Sequence, residues 1–238
     1  MARSRVEYAD FNITVYPTCS YGCAYCFWRV PLMRARLSRI KPRPVEEASR
    51  LAARRKPARV VVSFTTDPYP PQEVEKRLTR RVLDTLSQGP LRVFVLTKNP
   101  GLALRDLDIM LNSPRAEFWL GTTLISLERN ELEPRAPPPE DRLAALKEAK
   151  SAGARVWVSL EPLIPSICDP VELVEAVIDV ADWVVLGRLN YASQLGLPPP
   201  SDEDYRRVLE AINVLTERSV AYLVKRELRR TLEKLEKD

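Results

Sequence analysis

Histidine is missing from the 238-residue sequence altogether, and glycine appears only seven times. Without imidazole, a zinc site would have to be built from thiols and carboxylates alone. Scarce glycine beside 21 prolines and a 29% charged fraction resembles the composition of proteins from hot environments. No run of about 18 uncharged apolar residues is present, which argues against an apolar membrane-spanning helix. The opening MARSRVEYADFNITVY lacks the apolar centre of a secretory signal. With four cysteines and no such signal, the thiols point to a reducing, cytoplasmic setting and to metal binding rather than disulfides. The net charge of +5 permits an acidic partner without demanding one.

A hydrophobic content of 45% supplies one sizeable core. Strands are predicted at Asn12–Pro17, Arg59–Thr65, Arg92–Thr97, Glu117–Thr123, Arg155–Leu160 and Asp182–Leu186, with a weaker seventh at Val220–Val224. Helical patterns fall between them at Val45–Arg55, Gln72–Ser87, Leu102–Leu111, Glu140–Ala152 and Pro170–Ala181, then at Asp202–Thr216 and Glu227–Glu236. Runs such as RVVVSF and DWVVLG are almost wholly apolar, as strands of a parallel sheet covered by helices must be. Strand followed by helix, six times over, predicts right-handed crossovers and an α/β fold of partial (β/α)6 barrel type. We expect a barrel domain over residues 1–200 and a helical extension over 201–238 that packs on it. Asp169 before Pro170 and Ser201 read as helix N-caps.

In such a barrel, chemistry gathers where strands end. Cys19-Ser-Tyr-Gly-Cys23-Ala-Tyr-Cys26 follows the first strand, with Thr65, Thr66 and Asp67 after the second and Lys98 after the third. Thr122 and Thr123 close the fourth, and Glu161 the fifth. Three thiolates in C-x3-C-x2-C spacing suit three irons of a cubane cluster with the fourth iron open, and Gly22 lets the loop curve closely. The alternative is a zinc site, which would have to recruit Cys168 or a carboxylate as its fourth ligand. After the triad only Cys168 remains, so no second cluster can be built from thiolates.

This spacing, with aromatic Tyr25 before the last cysteine, resembles the signature of the radical S-adenosylmethionine (SAM) superfamily. The segments SFTTDPYPPQE, VLTKNPGLALRDLDIM and LEPRAPPPEDRLAALKEAKSAGARVWVSLEPLIP resemble its DNA repair photolyase-like branch, related to spore photoproduct lyase. The resemblance implies a partial α/β barrel, a [4Fe–4S] cluster on Cys19, Cys23 and Cys26, and SAM chelated at the open iron. It also implies a one-electron reductant such as ferredoxin or flavodoxin, and a 5′-deoxyadenosyl radical that abstracts hydrogen from a substrate. That substrate is unidentified: a nucleic acid or nucleotide is one reading, a small molecule or peptide another, and a non-catalytic metal-binding module a third.

By position, the resemblance places Tyr25, Thr65, Thr66, Asp67, Lys98, Thr122, Thr123 and Glu161 as SAM contacts. Asp67 otherwise reads as part of a turn, Lys98 as a solvated loop residue, and Glu161 as a partner for an arginine. Cys168 is either a catalytic hydrogen-atom donor or a buried, inert thiol. Spore photoproduct lyase returns hydrogen through a cysteine near its second strand. Here that region reads Ser63-Phe-Thr-Thr-Asp67 and holds no thiol. Arg29, Arg34, Arg36, Arg39, Lys41 and Arg43, interleaved with Trp28, form either a guide for a phosphate backbone or a phosphorylated metabolite, or a solvated basic helix.

Overall fold

A computed structural model describes residues 4, 6–39 and 41–237; Ile40, inside the basic segment Trp28–Arg43, lies outside the described residues. Seven strands form one sheet in sequence order, and every neighbouring pair is parallel. They are β1 (Phe11–Ile13), β2 (Ala58–Val62), β3 (Leu91–Leu96), β4 (Glu117–Thr123), β5 (Arg155–Leu163), β6 (Trp183–Arg188) and β7 (Ala221–Val224). Among the described residues β1 pairs only with β2 and β7 only with β6, so the barrel is open. Each expected strand is present, including the seventh, which carries the 201–238 segment into the sheet itself.

The principal helices are α1 (Pro31–Leu37), α2 (Pro44–Ala52), α3 (Leu78–Ser87), α4 (Pro139–Ser151), α5 (Pro170–Val177), α6 (Arg207–Glu217) and α7 (Arg226–Leu235). Four of them begin with proline at the first helical position, where the missing N–H costs nothing. These are α1, α2, α4 and α5, and Asp169 caps α5 by accepting from Val171 N at 2.7 Å. Ser201 and Asp204 bond reciprocally ahead of a short 3-10 turn at Glu203–Tyr205.

The expected helix over Gln72–Ser87 is broken at Arg77, whose φ is +46°. The cause is Glu73, fully buried, whose carboxylate accepts from Thr79 N at 3.0 Å and so caps α3 afresh. Tyr16 and Arg105 also donate to Glu73, fixing this turn below the end of β1. Helix α1 lies in the basic segment, where a solvated helix was one of the readings, and none of its residues is buried.

Strand alternation sorts the side chains onto two faces. Val60, Val62, Val93, Val95, Leu120, Val156, Val158, Val184 and Leu186 meet the helices in the main core. Val61, Phe94, Trp157 and Val185 point the other way, where Tyr8 and Val6 of the N-terminal segment pack on them. Tyr8 meets Phe94, Trp157 and Trp183 edge-on at 5.3–5.6 Å between centroids, which makes an aromatic floor for the concave face.

Candidate active site

Parallel strands bring seven C-terminal ends to one edge, and the chemistry-bearing residues collect there. Above the aromatic floor the concave face turns small and polar. Gly121 of β4 lies under the Trp157 indole, and an added Cβ there would stand 2.4 Å from Nε1. Gly187 of β6 leaves room in the same way for Glu161, whose Oε1 would lie 2.5 Å from such a Cβ. Glu161 accepts from Ser159 Oγ at 3.1 Å and pairs with Lys225 Nζ at 2.7 Å. Lys225, just past β7, holds its ammonium 5.0 Å from the Phe64 ring centroid and 5.7 Å from that of Tyr8. Among the described residues the buried Tyr8 hydroxyl has no hydrogen-bond partner, and burial, then the Glu161 charge, raise its pKa. Phe64 in turn stacks on Phe27, the residue after Cys26, at 6.3 Å.

The cysteine loop leaves β1 at this edge. Cys26 N donates to Cys23 O at 3.2 Å, and Cys26 O accepts from Arg29 N at 2.9 Å, closing two successive turns. Gly22 sits at φ +70°, against the Arg135 guanidinium. All four cysteines are free thiols; Cys19 is exposed, Cys23 buried and Cys26 half-buried. Burial raises all three triad pKa values, that of Cys19 to about 11, with Asp67 and the charges of Cys23 and Cys26 adding to the rise. The three sulfurs are therefore neighbours, and as thiols they must release protons when metal binds.

Among the described residues no three His, Cys, Asp or Glu side chains converge on a point that could hold a single ion. A cubane cluster binds each thiolate on a separate iron, so three neighbouring but unconverged thiols fit it better than a lone zinc. Cys168 stands apart. Burial raises its pKa, and the charges acting on it are those of Glu172, Asp169 and Glu128. It packs against the main core beside α5.

Beside the loop lies a buried charge network that sequence reading did not anticipate. Tyr25 OH and Lys98 Nζ both reach the Glu133 carboxylate, Lys98 at 2.6 Å from Oε1. Lys98 also donates to Tyr25 OH at 2.6 Å, and Arg142 Nη2 donates to Glu133 Oε2 at 2.5 Å. Burial alone would raise the Glu133 pKa, but Lys98 and Arg142 outweigh it and hold the carboxyl at about 2. Ala24 N donates to Leu132 O at 2.8 Å, so the 130–133 turn is tied to the cysteine loop by backbone as well. Glu133 sits in the LEPRAPPP stretch, and nothing in its local pattern marks it as buried.

The remaining expected residues are placed as follows. Asp67 is buried and accepts from Tyr69 N at 2.8 Å, Thr97 Oγ1 at 2.7 Å and Lys98 N at 2.8 Å, joining the ends of β2 and β3. Burial raises its pKa in spite of these bonds. Thr65 shares a hydrogen bond with Thr14 at 2.9 Å, and Thr66 donates to Tyr16 O at 2.8 Å. Thr122 donates to Thr97 O at 2.7 Å, and Thr123 O accepts from Arg142 Nη1 at 2.9 Å. The edge thus gathers all of them but divides them. Tyr25, Lys98 and Asp67 lie with the cysteine loop, and Glu161 lies with Lys225.

Comparison with known proteins follows this geometry. An uncharacterized protein of Acidianus two-tailed virus is 29% identical over 165 residues, covering 62% of this chain and 54% of the relative. An uncharacterized protein of Methanocaldococcus jannaschii is 26% identical over 172 residues, covering 70% and 65%. The chain therefore spans only about half to two-thirds of these relatives' length. Among solved structures, spore photoproduct lyase complexed with dinucleoside spore photoproduct superposes with a TM-score of 0.67 at 14% identity, over 94% of this chain and 79% of that one. Streptococcus suis SuiB bound to S-adenosylmethionine gives 0.63 at 13% identity, over 90% of this chain and 50% of that one. Both show the same fold. The sequence pattern described as the radical SAM superfamily matches residues 13–177, well over half of the sequence, and the chain belongs to that superfamily.

Proposed function

We propose that Cys19, Cys23 and Cys26 hold a [4Fe–4S] cluster and that the concave mouth beside it binds SAM together with a nucleotide-type substrate. The chain is a radical SAM enzyme, and its superfamily works with these two cofactors. When bound, they supply a one-electron cleavage of the sulfonium that yields methionine and a 5′-deoxyadenosyl radical able to take hydrogen from a substrate. The observation that carries the reading is three free thiols on the loop after β1, close enough for their charges to act on one another.

The chain's own residues prepare that site. Lys98 presents a cation whose position is fixed by Glu133, suited to a carboxylate. Asp67, Thr65 and Thr66 supply acceptors for an ammonium near the end of β2. Thr122 and Thr123 hold the end of β4, and Tyr25 offers an aromatic face beside Cys26. The floor of Tyr8, Trp157 and Trp183 closes the concave face from below and excludes water from that side. Stacked Phe27 and Phe64, with the Lys225–Glu161 donor and acceptor pair beside them, suit the faces and edge of a nucleobase. A fold neighbour, spore photoproduct lyase, is complexed with a dinucleoside, which favours the same class. SuiB bound to its precursor peptide keeps a peptide substrate as the second reading.

The test is anaerobic reconstitution with iron and sulfide, then dithionite and SAM. A brown protein that retains iron and releases 5′-deoxyadenosine supports the reading; a protein that retains one zinc and no iron defeats it. Nucleotides that raise the yield of 5′-deoxyadenosine identify the substrate class, and stimulation by peptides alone reassigns it.

A further inference from the structure

Residues 11–45 contain six basic side chains and no acidic one, which exceeds the whole chain's net charge of +5. The rest of the molecule is therefore close to neutral. Many arginines elsewhere are paired, among them Arg59 with Asp10, Arg80 with Asp106 and Asp108, Arg105 with Glu73, Arg155 with Glu117 and Arg207 with Asp169. Arg29, Arg34, Arg36 and Arg39 are exposed and have no ion-pair partner among the described residues. In their midst Leu32 is 76% exposed, more than any other large hydrophobic side chain described. Arg29 lies near enough to Cys26 for its charge to act on the thiol.

We infer that the α1 face is the docking surface for a small acidic electron-carrier protein that reduces the bound cluster. This rests on the cluster assignment above. Contact with these cations breaks no ion pair seen among the described residues, and they steer an acidic protein toward the cysteine loop. An apolar side chain ringed by charge is the pattern of a transient protein interface, whereas a phosphate backbone would leave Leu32 in water. Redox pairs of this kind need less than about 1,200 Å² of contact, an area a short helix and its flanks can provide. One electron leaves the carrier and one enters the cluster; no bond forms or breaks.

The experiment uses the reconstituted full chain with flavodoxin as the probe, comparing wild type, the double variant Arg34→Glu/Arg36→Glu and Leu32→Ser. Circular dichroism and iron content establish that each variant is folded and loaded. At low salt the double variant should bind flavodoxin at least about tenfold more weakly, with the gap shrinking as salt screens the charges. Cluster bleaching by reduced flavodoxin should slow in step, while bleaching by dithionite stays unchanged. Leu32→Ser should weaken binding at every salt concentration.

Equal affinities and equal flavodoxin rates in all three proteins would overturn the surface. So would a double variant that loses a fluorescent DNA duplex yet keeps flavodoxin, which would assign the face to nucleic acid. A wild type that dithionite cannot bleach would defeat the cluster assignment, and this inference with it. Normal dithionite bleaching with an indifferent carrier defeats the docking surface alone.

Discussion

The Glu133 carboxylate and the Lys98 ammonium lie 2.6 Å apart, with side chains only 4% and 13% exposed. This pair, closed by Arg142 on the other oxygen, locks the 130–133 turn against the cysteine loop. A buried carboxylate between two cations is costly to remove singly, because both cations then lose their counter-charge.

Glu133→Gln should therefore destabilise the fold, by roughly 3–5 kcal/mol as for other broken buried pairs. The pH dependence follows from the sign of the shift. The carboxyl titrates at about 2 in the folded protein against an ordinary 4.5, so the unfolded chain takes up the proton first. The stabilisation is complete above the ordinary value and drains away as pH falls toward 2. Urea unfolding across that window should show wild type losing stability faster than Glu133→Gln, the two curves converging at the acid end. A constant gap would mean that the ionised pair is not what holds the turn.

Replacing any triad cysteine should abolish iron retention, because two thiolates cannot hold a cubane that already lacks a fourth ligand. Cys168→Ala should leave iron content unchanged, since that sulfur's charged neighbours are Glu172, Asp169 and Glu128 and not the triad. Iron analysis after anaerobic reconstitution separates the cases. Retained iron in Cys23→Ala would count heavily against the assignment, and lost iron in Cys168→Ala would show that the fourth thiol reaches the cluster.

The strands were legible because their apolar runs are dictated by burial on both faces, and β4 spans Glu117–Thr123 as its pattern requires. The cysteine loop was legible because metal chemistry constrains spacing within eight residues. Long-range partners were not. Glu161 pairs with Lys225, 64 positions later, and Lys98 with Glu133, and no local period encodes such meetings. Helix α1 was legible only as one alternative for the basic segment. It buries no stripe, so the hydrophobic pattern by which helices are recognised is absent.

Gly22→Ala tests the shape of the loop. The residue holds φ +70°, which an L side chain adopts at a cost of roughly 1 kcal/mol, and the new Cβ would meet Arg135 Nη2 at 2.5 Å. The guanidinium is the free end of a flexible side chain and can move, so overall stability should fall only by about that amount. The loop itself should suffer more. Iron should be retained less well than in wild type at equal fold stability, measured as release to a chelator over time.

Gly121→Ala should behave differently, because its neighbour cannot yield. The added Cβ would stand 2.4–2.6 Å from three atoms of the Trp157 indole, a fully buried ring. That ring is clasped by Tyr8, Phe94 and Trp183 at 5.3–5.8 Å, so shifting it disturbs the whole aromatic floor. Overpacking of this kind typically costs about 1–3 kcal/mol. The loss should appear in urea unfolding and in Trp fluorescence, with the three triad thiols still able to take up iron when the fold is intact. An Ala variant as stable as wild type would mean that the floor is looser than its contacts indicate, and that the concave face is not closed from below.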